Sequence, residues 1–299
     1  MHPGHLSPKQ WDARTPTDLH RLLLAACLEP QDAAAEAWRE WLARCDFDYE
    51  DPASIELAAL AVGRLGAAAG DSSEASRCRG WNRRAWYLSE FAVEAAETLR
   101  AASDRRGMSV VGVGDLATHM AGYRFSGRAY PVRRVEFEVS GASRSDLEAL
   151  KRVSLPGSVA EVIRARRLML TINGASVWSV ANTRRVTSSL AIPDAGAHVA
   201  WLASKNWRKH PQGCLRWILE ILTIVQDAPD PAGLGPGVVA AAGLEGTTGA
   251  VKAALRLIRS VPGGEAVSPM LEALENAPVS PFSRIRRLLW WQFGNKSPM

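Results

Sequence analysis

Cysteine is scarce and poorly spaced for chemistry. Cys27, Cys45, Cys78 and Cys214 form no CxxC pair, so buried or free thiols are expected rather than a zinc site or a disulfide framework. The six histidines make no HExxH-like pair. No run of 18 uncharged apolar residues occurs, which excludes a membrane-spanning helix. The opening "MHPGHLSPKQWD" lacks the apolar segment of a secretory signal, and the cytoplasm is the expected location. Lysine is also sparse. Only Lys9, Lys151, Lys205, Lys209, Lys252 and Lys296 contribute to the 36 basic residues behind a net charge of +5. The remainder is arginine, which prefers planar anions such as carboxylate and phosphate. These arginines are spread along the chain rather than clustered, which disfavours nucleic acid as a partner. No internal repeat or low-complexity segment is present.

What remains is an ordinary globular composition, 47% hydrophobic and 22% charged, in a chain of 299 residues that can bury a sizeable core. The first third is helical. "TPTDLHRLLLAACL" (15–28) carries a threonine cap signal and an apolar stripe, and "DAAAEAWREWLARC" (32–45) repeats the helical period. "ASIELAALAVGRLGAAA" (53–69) reads as a more buried helix. A long helix over 73–106 is closed by Gly107. Strand character follows in "SVVGV" (109–113), then a helix from "GDLATHMAGY" (114–123). A capped helix covers 143–154. "RRLMLTING" with "ASVWSVANTRRVTSS" predicts a β-hairpin about Asn173–Gly174. From Pro193 onward the helical period returns six times. The layout is α+β: a helical region over 1–107, a small mixed sheet with its helices over 108–190, and a second helical region over 191–299.

The segment "YPVRRVEFEVSG" (130–141) carries the chemistry. Val135, Phe137 and Val139 alternate with Arg134, Glu136 and Glu138, so one face of this strand is apolar and the other charged. Side chains at i and i+2 point the same way, about 6.6 Å apart. Carboxylates at that spacing can straddle a metal site that handles phosphates. Such a face is equally often a solvated or cross-strand-paired one.

Several stretches together resemble a known family. "LHRLLLAACL" and "AWREWLARCDFD" match a leucine-rich first helix and a Trp-containing second. "GMSVVGVGDLATHMAGYRFSGRAYPVRRVEFEV" matches a strand–helix–acidic-strand core, and "AHVAWLASKNW" and "LRWILEI" match its tail, with Arg216 and Trp217 in register. Over about residues 17–260 the chain resembles the uncharacterised bacterial nucleotidyltransferase-like proteins, a branch of the polymerase-β-type superfamily. The resemblance implies a nucleotidyltransferase-type sheet, with Mg²⁺ and an NTP as ligands in active members. It also implies substrate-facing roles for Gly114, Arg134, Lys205 and Arg216.

The departures fall on the chemistry. The lysine of the family's Lys-Gly turn falls on Val113. Aligning the prolines without a gap places the two aspartates on Arg134 and Glu136. The strand expected to bring a third carboxylate, within 166–174, contains no acid. An arginine folded onto Glu136 would supply the charge that a metal otherwise provides. Like unit charges ~4 Å apart repel by ~4 kcal/mol at an effective dielectric of ~20. The first expectation is therefore a fold whose catalysis is lost and which needs no cofactor. It would serve as a binding or scaffold subunit, as an accessory to natural-product or polysaccharide biosynthesis. A two-residue shift gives the second: an active transferase with Glu136 and Glu138 as the catalytic, metal-holding pair. The third is an arginine-rich binder of an anionic partner.

Three other features have plainer readings beside functional ones. Gly112–Asp115 is either a phosphate-cradling turn or a strand–helix connector. The polar run His198, Lys205, Arg208, Lys209, His210 is either a phosphate contact or a solvated helix face. "RIRRLLWWQFG" (284–294) is either a dock for a membrane surface or for a protein or peptide partner, or a helix closing the core.

Overall fold

The computed structural model of the chain describes residues 16–48, 50–125, 128–132, 134–140, 142–164, 169–174, 183–185, 191–209 and 215–277. The N-terminal helices are α1 (Asp18–Leu28), α2 (Gln31–Arg44), α3 (Pro52–Leu65) and α4 (Ser73–Asp104). Their starts follow from local chemistry. The Thr17 hydroxyl accepts the His20 N–H, and the His20 ring accepts the Thr17 N–H in return. Asp51 accepts the N–H groups of Ala53 and Ser54 at 2.8 and 3.1 Å, with Pro52 pre-set for the first turn. Ser72 caps α4, and Gly107, at φ 67°, takes the chain out of it.

The sheet region follows as β1 (Ser109–Val113), α5 (Asp115–Met120), a short ribbon β2 (Arg124–Phe125) with β3 (Arg128–Ala129), and β4 (Arg134–Ser140). Next come α6 (Arg144–Lys151), α7 (Gly157–Arg164), β5 (Met169–Gly174), β6 (Thr183–Arg185) and β7 (Ala191–Pro193). The main sheet is mixed, in the order β5-β4-β1-β7-β6. β4 runs antiparallel to β1 and parallel to β5. The parallel step is reached through α6 and α7, as parallel neighbours require a crossover. The fold is α+β, as the layout of the sequence predicts.

Residues 175–182, the arm that would follow the predicted turn at Asn173–Gly174, lie outside the described residues. β5 and β6 lie at opposite edges of the sheet. β5 takes its hydrogen bonds from β4 over six register pairs, while β6 pairs antiparallel with β7. The helix α7 was absent from the sequence reading.

The C-terminal helices are α8 (Ala195–Lys209), α9 (Arg216–Asp227), α10 (Leu234–Leu244), α11 (Thr248–Arg259) and α12 (Ser268–Asn276). α8 and α10 meet through glycine. A Cβ on Gly196 would stand 2.7 Å from the Leu234 carbonyl oxygen and 3.0 Å from Gly237 Cα. Among the described residues no helix is long and apolar enough to cross a membrane. Segment 284–294, His210 and Cys214 lie outside them.

Each face of the sheet buries its own core. Val110, Val135, Phe137, Val139 and Ile172 pack with residues of α4, α6 and α7. Val111 and Val113 belong to a larger cluster that includes residues of α1–α4 and of α8–α12. The alternation read from 132–140 is therefore real, and it fixes where the acids point. Glu136 stands opposite Val113 and Glu138 opposite Val111, on the face that α8 covers.

Candidate functional site

The turn after β1 must be glycine. Gly114 sits at φ 61° and ψ −143°, and a Cβ there would meet the Trp201 ring at 3.5 Å and Glu136 Oε2 at 3.7 Å. Glu136, Glu138 and Gly114 thus converge under α8. That helix presents His198, Trp201 and Lys205, spaced i, i+3, i+7 and so on one side.

The two carboxylates are met from that side. Trp201 Nε1 donates to Glu138 Oε1 at 2.8 Å. The Lys205 ammonium forms an ion pair with Glu136 and lies 4.1 Å from the centre of the Trp201 ring. Glu138 is only 8% exposed. One charge of the pair is thus matched by a cation, and that cation is Lys205 rather than Arg134; the indole that meets Glu138 is a neutral donor. Arg134 is exposed. β1 ends at the Val113–Glu136 pair, so Arg134 extends past it and is in register only with Met169 of β5. The register partners of Glu136 and Glu138 on β5 are Thr171 and Asn173, so β5 brings no carboxylate opposite them. Among the described residues, no group of three or more His, Cys, Asp or Glu side chains is placed to hold a metal ion.

His198 completes this layer. It is fully buried and hydrogen-bonds the Gly114 backbone, and burial pushes its pKa down to about 3. Nε2 has no hydrogen-bond partner among the described residues. The ring is neutral near pH 7, which removes it as a cationic phosphate ligand.

A second polar cluster lies beneath α5. Arg216, at the start of α9, is 4% exposed. Its Nη2 lies 3.2 Å from Asp115 Oδ2 and donates to the Pro131 carbonyl. Its Nη1 is 3.9 Å from Glu56, and its guanidinium sits 5.1 Å over the Tyr130 ring. The sequence reading gave Arg216 a substrate-facing role; its geometry is that of a buried tie between α9, α5 and the entry to β4. One turn on, Glu220 accepts the Thr118 hydroxyl. Burial, and then the neighbouring Asp115 charge, raise the Glu220 carboxyl from 4.5 to about 8, so it carries a proton near neutrality.

No family model, curated protein or solved structure matches the chain. Four of the six residues singled out in the sequence, Gly114, Glu136, Glu138 and Lys205, come together. Arg134 and Arg216 do not join them. Trp201, Asp115 and Glu220 were not singled out as site residues. The one signal for Trp201 was its spacing from His198 and Lys205; Asp115 entered only as the end of the Gly112–Asp115 turn.

Glu220 gives a pH prediction. Its folded pKa lies above its unfolded one, so the folded state holds a proton that the unfolded chain releases as pH rises. Stability is lost from the ordinary carboxyl range up to about pH 8 and levels off above it. Glu220→Gln keeps an acceptor for Thr118 and removes the titration. The variant is expected to gain about 1–3 kcal/mol over wild type at pH 8, and much less at pH 4. Urea midpoints at the two pH values measure the difference.

Proposed function

We propose that this chain is a nucleotidyltransferase-fold protein that has exchanged metal-dependent catalysis for a binding or scaffold role, as an accessory subunit in bacterial biosynthesis. The observation that carries the reading is the engagement of both carboxylates by one helix, Glu136 by the Lys205 ammonium and Glu138 by the Trp201 indole. The strand order supports the fold assignment. A strand, a helix, an antiparallel acidic strand and a parallel crossover strand follow each other in the sequence expected of such a core.

The chemistry follows from charge. Nucleotidyl transfer needs a divalent ion held by hard oxygen ligands that still have room for substrate phosphates. An ammonium at Glu136 fills the cation's place. A divalent ion ~4 Å from it is repelled by roughly 8 kcal/mol at an effective dielectric of ~20. Glu138 has little solvent access and would have to give up its indole donor. What such a site does well is hold α8 rigidly on the sheet.

The test is a thermal-shift titration of the full chain with Mg²⁺ and each of the four NTPs. The expected result is a melting temperature that moves by less than about 1 °C up to about 5 mM ligand. A saturable rise of several degrees that requires Mg²⁺ would overturn the proposal.

A further inference from the structure

Away from the glutamate pair, α3, α4 and the connector between α2 and α3 enclose a cleft of about 620 Å³, a size suited to a small organic ligand. Its walls carry an apolar middle, formed by Ile55, Ala59 and Leu60 of α3 and by Ala85 and Leu88 of α4. At one end the Phe47 and Trp81 rings stack at 5.7 Å, inclined by 5°.

Charge is divided between the walls. The connector and α3 contribute Asp48, Glu50 and Glu56, and α4 contributes Arg77 and Arg84, with Arg216 at the base. Most of this charge is already matched. Arg77 pairs with Asp48 at 2.8 Å and lies 4.8 Å over the Phe47 ring. Arg216 is held by Asp115, with Glu56 at 3.9 Å. Glu50 and Arg84 are different. Among the described residues neither has an ion-pair partner within 4 Å, although they line one cleft from opposite walls. Glu50 is half-buried, and burial raises its carboxyl above the ordinary 4.5; Asp51 and Asp46 push the same way, while a hydrogen bond from Ser54 and the nearby His20 offset the rise only in part. A cation beside it would relieve both effects.

We propose that this cleft binds a small zwitterion with an apolar body, of the amino-acid class, its ammonium on Glu50, its carboxylate on Arg84 and its side chain against the Phe47–Trp81 end. The site is separate from the glutamate pair, and its occupancy does not depend on whether that pair binds metal. A ligand with both charges engages both walls, the half-buried Glu50 and the exposed Arg84, whereas a simple amine or a simple acid engages only one. Free amino acids and the termini of short peptides share this chemistry, and blocked analogues report which charge matters.

The experiment is isothermal titration of the full chain with L-phenylalanine and L-tryptophan, beside N-acetyl-L-phenylalanine and L-phenylalaninamide. A free amino acid is expected to bind saturably, and blocking either end is expected to weaken binding about tenfold, the loss of one charge-assisted hydrogen bond. Arg84→Ala is expected to abolish the preference for phenylalanine over its amide. Glu50→Gln is expected to abolish the preference over the N-acetyl form. Both positions lie at the rim, and thermal melts within about 2 °C of wild type establish that the variants fold. No saturable binding of either amino acid at about 10 mM, or wild-type preferences in both variants, would overturn the proposal.

Discussion

Arg216→Ala is expected to cost about 3–5 kcal/mol of folding stability, the range found when one partner of a buried ion pair is removed. The guanidinium serves three elements at once. It compensates Asp115 at the first turn of α5, satisfies the Pro131 carbonyl on the approach to β4, and covers Tyr130. Its loss leaves the carboxylate of Asp115 beside Glu220, whose carboxyl is already raised by that same charge. Lysine is not expected to rescue it. A single ammonium cannot spread over Asp115, the carbonyl and the ring as a planar fork does. Urea denaturation should show a large drop in midpoint, with Arg216→Lys recovering less than half of it. A loss under about 1 kcal/mol would mean that the cluster is not a structural tie.

Trp201→Ala is the second large effect, about 3–5 kcal/mol. Trp201 is 6% exposed and belongs to the larger core cluster, so its removal leaves a cavity. It also removes the indole donor of Glu138 and the ring beside the Lys205 ammonium. Trp201→Phe separates the two contributions, keeping an aromatic ring while deleting the N–H. The expected cost of that change is about 1–3 kcal/mol, the penalty for a buried acceptor left without its donor. If the phenylalanine variant were as stable as wild type, the indole bond would play no part in holding the site.

Local chemistry was legible wherever a short stretch decides the outcome. Thr17 and Ser143 cap the helices that follow them. Gly114 and Gly107 sit at backbone turns that favour glycine. The alternation Val135, Phe137, Val139 placed the acids on the opposite face of β4. The identity of what covers that face was not legible. Lys205 lies 69 residues from Glu136, and Trp201 lies 63 from Glu138. Arg134 was the nearest candidate in sequence, two positions away on the same strand, and local reasoning favoured it. In the structure α8 instead brings Lys205 onto Glu136, and Arg134 is exposed. Glu220 was hidden for a similar reason. In "LRWILEIL" it reads, with Arg216, as one of two charged positions in an apolar helix, and only the fold brings Thr118, 102 residues away, against it.

Glu136 and Glu138 are held by α8, and the proposed function requires that they take up no divalent cation. Titration with Mn²⁺, followed by the loss of its free electron-paramagnetic-resonance signal, tests this on wild type and on Glu138→Gln. The expected result is no saturable site tighter than about 1 mM in wild type, and the same curve for the variant. A site of about 10 µM or tighter in wild type that disappears in Glu138→Gln would contradict it, and would make the pair a working metal centre.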